Sequence, residues 1–335
     1  MKREHEVVEL FAGAGGLALG LEKAGLNTSL LIEKDSDCVR TLFQNRPKWK
    51  ALQRDVRNFD FKGITADVVT GGFPCQAFSY AGKKLGFEDT RGTLFFEFAR
   101  AVKEIQPKIF IAENVSGLVS HDKGRTLDTM LRILKEDLDT YEVQYKVLNA
   151  VDYSVPQKRQ RIFIVGTKKG VKFNFPKKHA SIVTLKEALK KVPKSQGMQY
   201  SQSRKKILKL VPPGGSWVNL PVKLQKEYMG KSFHSGGGRR GMARRLSWDE
   251  PSLTLTTSPS QKQTERCHPE ETRPFTVREY ARIQTFPDDW QFFGSVASQY
   301  KQIGNAVPVN LAYEMGKEIV KSLRAIPAEM LKIAA

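Results

Sequence analysis

Short β-branched apolar runs alternate with helical periodicities over the first 166 residues, and this alternation restricts the architecture more firmly than any other feature. Residues 7–11, 30–32, 68–71, 109–112, 145–148 and 162–165 read as strands. Between them, Phe95, Phe98, Val102 and Ile105 recur at helical spacing, as do Leu127, Met130, Leu131 and Leu134. Strand–helix order of this kind predicts an α/β fold, a parallel sheet with helices on both faces. After Gly166 the alternation stops. One helical signal survives at Leu185, Ala188, Leu189 and Val192, and the rest is rich in glycine, proline, serine and lysine, the composition of ligand-touching loops or of a linker. Order resumes with Val277, Ala281 and Ile283. Ala312, Met315, Ile319, Val320 and Leu323 then mark an amphipathic helix expected to pack back on the first domain. A chain of 335 residues can hold one large domain and a smaller one, here residues 1–170 completed by 300–335, and residues 171–299.

The charge points to a polyanionic partner. The net charge is +20, and residues 168–275 carry 23 Lys and Arg against seven Asp and Glu, so most of the excess sits in the irregular third of the chain, as a phosphate backbone would require. Cys38, Cys75 and Cys267 are widely spaced without a CxxC pair, which argues against a disulfide framework or zinc site and fits a reducing cytoplasm. The apolar stretch after Lys2 and Arg3 is cut by Gly13, Gly15 and Gly16. Neither a signal peptide nor a membrane span is expected.

Three stretches carry candidate chemistry. Residues 68–70 feed Gly71, Gly72 and Pro74, which should break a strand and present Cys75 at its carboxyl end, where open α/β sheets bind ligands. Cys75 is a candidate nucleophile; a buried core cysteine is the alternative. Phe11, Ala12, Gly13, Gly15 and Gly16 form a glycine-rich turn between the first strand and a helix, suited to close approach of a ligand. Ala18 stands where a dinucleotide fingerprint needs glycine, which disfavours a nicotinamide enzyme. Glu33 and Asp55 follow the next two strands, placed for ribose hydroxyls and an adenine amino group, or as helix caps. Glu113 closes a strand at the same edge as Cys75 and suits general acid work. Arg159 and Arg161, two apart before a strand, should share a face and hold a carbonyl oxygen or carboxylate.

These stretches resemble the C5-cytosine DNA methyltransferase family of bacterial restriction–modification systems. The matching blocks are FAGAGG at 11–16, GFPCQAFS at 72–79, GFEDTRGTLFFE at 86–97, ENV at 113–115, QKRQR at 157–161, REYARIQTFPD at 278–288 and GNAVPVN at 304–310, in the family's order. The resemblance implies a Rossmann-like S-adenosylmethionine-dependent methyltransferase sheet with a smaller, irregular target-recognition domain. It implies S-adenosylmethionine as cofactor and double-stranded DNA as partner. Cys75 would add to C6 of a flipped cytosine, Glu113 would serve N3, Arg161 would hold O2, and Arg159 would stand beside it. Pro74 and Asn305 join the cofactor residues. Gln76, Ser79, Lys83, Lys84 and Arg91 would belong to a loop that closes over DNA. Arg239, Arg240, Arg244 and Arg245 would contact DNA from the basic segment, with His234, Lys262, Gln263 and Arg266 as weaker candidates. Lys34 departs from the family, which often has a bulky aromatic there; its stem, Phe11 or Phe73 would cover adenine. No metal is implied. A monomer on bacterial cytoplasmic DNA is expected, with a cognate restriction endonuclease as functional partner. A tRNA-acting branch shares the catalytic blocks, but its usual Cys-Phe-Thr signature is not seen.

Overall fold

The computed structural model describes residues 5–74, 93–234 and 241–327. In chain order the elements are β1 (His5–Leu10), α1 (Gly16–Lys23), β2 (Leu26–Glu33), α2 (Ser36–Asn45), β3 (Ala51–Gln53), β4 (Val68–Gly71), α3 (Leu94–Ile105), β5 (Ile109–Val115), α4 (Arg125–Asp137), β6 (Tyr141–Asn149), β7 (Gln157–Lys158) and β8 (Gln160–Lys168). Then come α5 (Leu185–Ala188), α6 (Gln202–Lys209), α7 (Val222–Met229), β9 (Ser252–Leu253), α8 (Val277–Ile283), α9 (Val296–Asn305) and α10 (Val309–Arg324). The chain forms two compact units: residues 1–149, 160–178 and 309–335, and residues 150–159 and 179–308. Residues 150–159 and 300–308, expected with the first, thus fall in the second.

In the first unit, the described strands form a seven-stranded sheet in the order β3-β2-β1-β4-β5-β8-β6. β1, β2, β3, β4 and β5 pair in parallel, whereas β8 runs antiparallel to both β5 and β6. The sheet is therefore mixed, not wholly parallel as expected. The cause is connection length: ten residues separate β6 from β8, too few for the helical crossover that parallel neighbours need. The strand order turns back on either side of β1, so the crevice at the carboxyl ends of β1 and β4 is the topological switch point where such sheets bind ligands.

One face of the sheet is an apolar layer of Val8, Leu10, Ile32, Val69 and Phe110 against Phe95, Phe98 and Val102 of α3 and Met130 and Leu134 of α4. These are the residues whose spacing announced the helices. Elsewhere in this unit α10 lies against α1, and glycine makes the crossing close. A Cβ on Gly20 would sit 2.3 Å from that of Ala312, and one on Gly316 would sit 2.6 Å from that of Ala24.

The second unit is more helical than its composition suggests. Ser201 caps α6 by accepting the Arg204 N–H, Pro221 precedes α7, and Thr276 with Glu279 forms a capping box on α8. α6 and α7 bury only Leu208 and Met229, so apolar periodicity is faint there.

Candidate active site

The glycine turn and the ends of β2 and β3 enclose a cavity of about 470 Å³, lined by Phe11, Ile32, Glu33, Lys34 and Arg54 through Arg57, with Thr93 and Leu94. Its backbone is specialised. Phe11 has a φ of 56° and Gly13 one of 54°, left-handed conformations that non-glycine residues adopt at a cost. Gly15 caps α1 at a φ of 81°, so the helix's unpaired N–H groups begin there. Ala12 is buried, and its carbonyl accepts the Gly15 N–H at 3.0 Å.

Glu33 ties the turn to the sheet. Its Oε2 accepts the Gly13 N–H at 2.8 Å, while Oε1 accepts those of Lys34 and Asp35 at 2.7 and 2.8 Å. A carboxylate offers about four lone-pair directions, so Oε2 retains capacity for a ribose hydroxyl. Asp55 differs from its expected role. Oδ1 accepts from Arg57 N and Nε, and Oδ2 from Arg57 Nη2 at 2.5 Å and Lys34 Nζ at 2.9 Å. Arg57 above all holds this carboxyl far below the usual range. Asp55 therefore braces the cavity wall and is not the free acceptor expected for an adenine amino group. The ion pair also draws the Lys34 stem across the lining. Phe73, a candidate to cover adenine, is buried in the core with its ring centroid 5.5 Å from that of Phe95, whereas Phe11 and Lys34 do line the cavity.

Beneath the switch point Glu9 of β1 is buried opposite Thr70 of β4. Burial, reinforced by the Glu33 charge, pushes its carboxyl up to about 8, so it holds its proton at neutral pH.

The reacting edge lies on β5 and β8. Glu113 and Arg161 face each other diagonally across this antiparallel pair, with Arg161 Nε 2.9 Å from Glu113 Oε1. Both are largely buried, and burial depresses the Arg161 guanidinium while the Glu113 charge partly restores it. Gly72 brings the chain against this pair: a Cβ there would lie 2.9 Å from Glu113 Oε2. Next along β5, the Asn114 side-chain amide donates to the Phe73 carbonyl at 2.9 Å, and its Oδ1 accepts the Val115 N–H. Asn114 thus fixes residues 72–74 above the carboxylate. Its place in the ENV block was visible, but a hydrogen bond to a carbonyl 41 residues away was not. Pro74 is exposed at the end of this described segment. Cys75, Gln76, Ser79, Lys83, Lys84, Arg91, Arg239 and Arg240 lie outside the described residues.

Two arginines are not where function was expected. Arg159 does not share a site with Arg161: it is buried in the second unit, its terminal nitrogens donating to the carbonyls of Leu255, Gly304 and Ala306 at 2.9–3.2 Å. Arg245 is buried as well. It donates to the carbonyls of Val211 and Leu208 at 2.7 Å, of His268 at 3.0 Å, and to Thr272 Oγ1 at 2.9 Å. Both are posts that hold loops together, which corrects a catalytic expectation for Arg159 and a DNA contact for Arg245. Arg244 is half-buried, and Asn305 is exposed at the end of α9 in the second unit.

A cavity at the carboxyl ends of β1, β2 and β3, a carboxylate–arginine pair on β5 and β8 and a seven-stranded sheet with one reversed strand define a Rossmann-like methyltransferase. Solved structures agree: the chain superposes on a prophage-encoded DNA modification methyltransferase of E. coli with a TM-score of 0.69 and 26% identity, covering 96% of this chain and 100% of that one. Its fold is also that of the S. pombe Dnmt2 methyltransferase, with a TM-score of 0.67, 15% identity and coverage of 96% and 99%. The family model for C-5 cytosine-specific DNA methylases matches residues 5–321. The chain belongs to that family and is a DNA cytosine-5-methyltransferase. It is 60% identical to the Type II methyltransferase M.Eco47II of Escherichia coli, over 96% of this chain and 80% of that protein. It is 56% identical to the Type II methyltransferase M.Sau96I of Staphylococcus aureus, over 96% and 77%. Among the described residues no cluster fit to bind a metal is found, and no helix is long and apolar enough to cross a membrane.

Proposed function

We propose that the protein methylates C5 of a cytosine turned out of duplex DNA, using S-adenosylmethionine and a covalent bond from Cys75 to C6, as the modification enzyme of a Type II restriction–modification system. The observation that carries this reading is the buried Glu113–Arg161 pair closed over by Gly72, three residues before Cys75. Turning the base out costs a few kcal/mol of stacking and pairing, and the reaction requires it because C6 and C5 cannot be reached inside the duplex. Cytosine C5 is a poor nucleophile, and adding a thiolate at C6 pushes electrons into the ring. A cysteine of pKa ~8.5 is only slightly ionised at neutral pH, so Cys75 must lose its proton as the base is seated. Glu113 serves N3, giving a proton or a strong hydrogen bond as charge develops on the ring. Arg161, already oriented by Glu113, donates to O2. C5, made nucleophilic by the addition, takes the methyl group, and loss of the C5 proton then expels Cys75 and restores the ring.

The cofactor would be held by the Phe11–Gly16 turn, by Glu33 through the remaining capacity of Oε2, and by the apolar lining from Ile32, Val56 and Leu94. This cavity fits an adenosine by shape and by its ribose acceptor, whereas Asp55 is already occupied. When bound, S-adenosylmethionine supplies the electrophilic methyl group. The second unit, in which 23 Lys and Arg face only 11 Asp and Glu, reads the DNA target. The reading is tested with duplex DNA containing 5-fluorocytosine in its methylated site, which cannot lose a C5 proton. A stable protein–DNA adduct that forms with the wild type and not with Cys75→Ser is expected; no adduct, or transfer to tRNA alone, would overturn it.

A further inference from the structure

The second unit gathers four cations around one carboxylate. Glu265 is fully buried; its oxygens accept the Tyr228 hydroxyl at 2.7 Å and Oε2 accepts the Ala243 N–H at 2.6 Å. Arg204 Nε stands 3.3 Å from Oε1, and Lys262 Nζ lies 4.6 Å from the centre of the Tyr228 ring. Arg266 follows Glu265 and is buried. Its Nε donates to the Thr254 carbonyl at 3.1 Å and one terminal nitrogen to the Glu265 carbonyl at 2.8 Å. Burial first, and then the like charge of Arg244 near it, depress the Arg266 guanidinium, and the Arg204 guanidinium lies 5.9 Å from the centre of the Tyr200 ring.

Arg244 is what this cluster leaves open. Its Nε is buried with no acceptor among the described residues, and the hydroxyl of Tyr200, a residue 4% exposed, likewise has no partner among them. Meanwhile its backbone is fixed. Ala243 takes a φ of 45°, the Arg244 carbonyl accepts the Cys267 N–H at 2.9 Å, and a Cβ on Gly241 would meet the Gln263 carbonyl oxygen at 2.4 Å. Residues 241–246 are thus locked to 263–267, and Arg244 is presented from a rigid frame. Glu265 balances one of the four charges and its lone pairs are taken. Buried donors without acceptors and uncompensated like charges are both costly. An anion with several acceptor oxygens relieves the two together, whereas a base edge supplies acceptors but no charge.

We propose that Arg244 and Arg266, flanked by Arg204 and Lys262 and floored by the Tyr200 hydroxyl, form a preformed seat for one phosphodiester of the bound DNA. The proposal rests on the reading of the second unit as the DNA-facing part, and makes Glu265 the positioning residue of that seat.

The experiment measures duplex affinity of the full chain from 50 to 200 mM salt for the wild type, Arg244→Gln and Arg244→Lys, on target and unrelated sequences. Arg244→Gln is expected to weaken both duplexes by the same factor and to reduce the salt slope by about one phosphate contact; Arg244→Lys keeps the slope. Unchanged affinity for both duplexes would mean a site filled by water alone and would overturn the seat. Loss confined to the target duplex, with the slope intact, would make Arg244 a base reader and overturn it equally. If the wild type fails to bind duplex DNA, the reading of the second unit itself fails and the seat with it. Cofactor affinity, measured calorimetrically, should stay the same in every variant and reports that the first unit is folded.

Discussion

The two units are held together by different physics. In the first, neighbouring strands satisfy the backbone of β1, β4 and β5, and cohesion comes from apolar layers such as Val8, Val69 and Phe110 against α3 and α4. In the second, two-residue strands β7 and β9 pair with each other, and long loops leave carbonyls without ladder partners. Buried arginines and glutamines take over. Arg159, Arg245 and Arg278 donate to carbonyls, Gln284 Nε2 donates to those of Ile303 and Ala306, and Gln157 links Gln284 to the Leu255 N–H. A planar guanidinium with five donors suits this work. A buried arginine thus ties loop carbonyls together in the second unit, whereas Arg161 in the first pairs with a carboxylate at the sheet edge.

The sharpest way to test that contrast starts at the reacting edge. Cys75→Ser should lower methyl transfer by about 10⁴-fold or more while leaving duplex and cofactor affinity within a few-fold. Retention of substantial transfer, read as label incorporated into DNA, would place the nucleophile elsewhere.

Arg161 and Arg159, two residues apart, then separate the two kinds of arginine directly. Arg161→Lys loses the fork that both Glu113 and a base oxygen need, and transfer should fall by about 10²–10³-fold with little change in the urea midpoint. Arg159→Met strands three buried carbonyls, so stability should drop by about 2–4 kcal/mol, with the folded fraction retaining most of its turnover. The opposite pattern, Arg159 affecting rate and Arg161 affecting stability, would reverse their assignments.

The same contrast explains what could be read from the chain. Sheet, glycine turn and Glu113 were legible because period-two and period-3.6 patterns and strand-end residues report backbone geometry directly. The pairing of Arg161 with Glu113 needed the register of β5 and β8, and the reversal of β8 needed attention to the short link after β6. Arg159 and Arg245 looked like Arg161 and Arg244 because local composition does not distinguish a guanidinium bonded to carbonyls from one paired with a carboxylate or left without an acceptor among the described residues. Asp55 was placed correctly on the cavity wall, but its saturation by Arg57 and Lys34 depended on side-chain directions that spacing does not encode.

Glu9 sharpens the comparison from within the first unit, where a polar group interrupts an apolar sheet. Burial pushes the Glu9 carboxyl up to about 8 in the folded protein, whereas in the unfolded chain it titrates near the ordinary carboxylate value of 4.5. The folded state binds more protons between those values, so this group's contribution to stability declines as pH rises through that window. Glu9→Gln keeps the shape without the ionisation. It should flatten the decline between pH 5.5 and 7.5 and add about 1–3 kcal/mol at the upper end, measured by urea unfolding. An unchanged slope would mean that Glu9 ionises freely in the folded protein.

The smallest effect concerns Lys34. Its ammonium is exposed, and its pairing with Asp55 at 2.9 Å is a surface ion pair worth about 0–1 kcal/mol. If its function is instead to cover the adenine with a hydrocarbon stem, charge and stem can be separated. Lys34→Met preserves most of the stem, and its affinity for S-adenosylhomocysteine should stay within about 3-fold of the wild type; Lys34→Ala removes it and should weaken binding by roughly 5–10-fold, about 1 kcal/mol of apolar contact. Equal losses in the two variants would assign the effect to the ion pair bracing Asp55, and no loss in either would leave Phe11 as the cover.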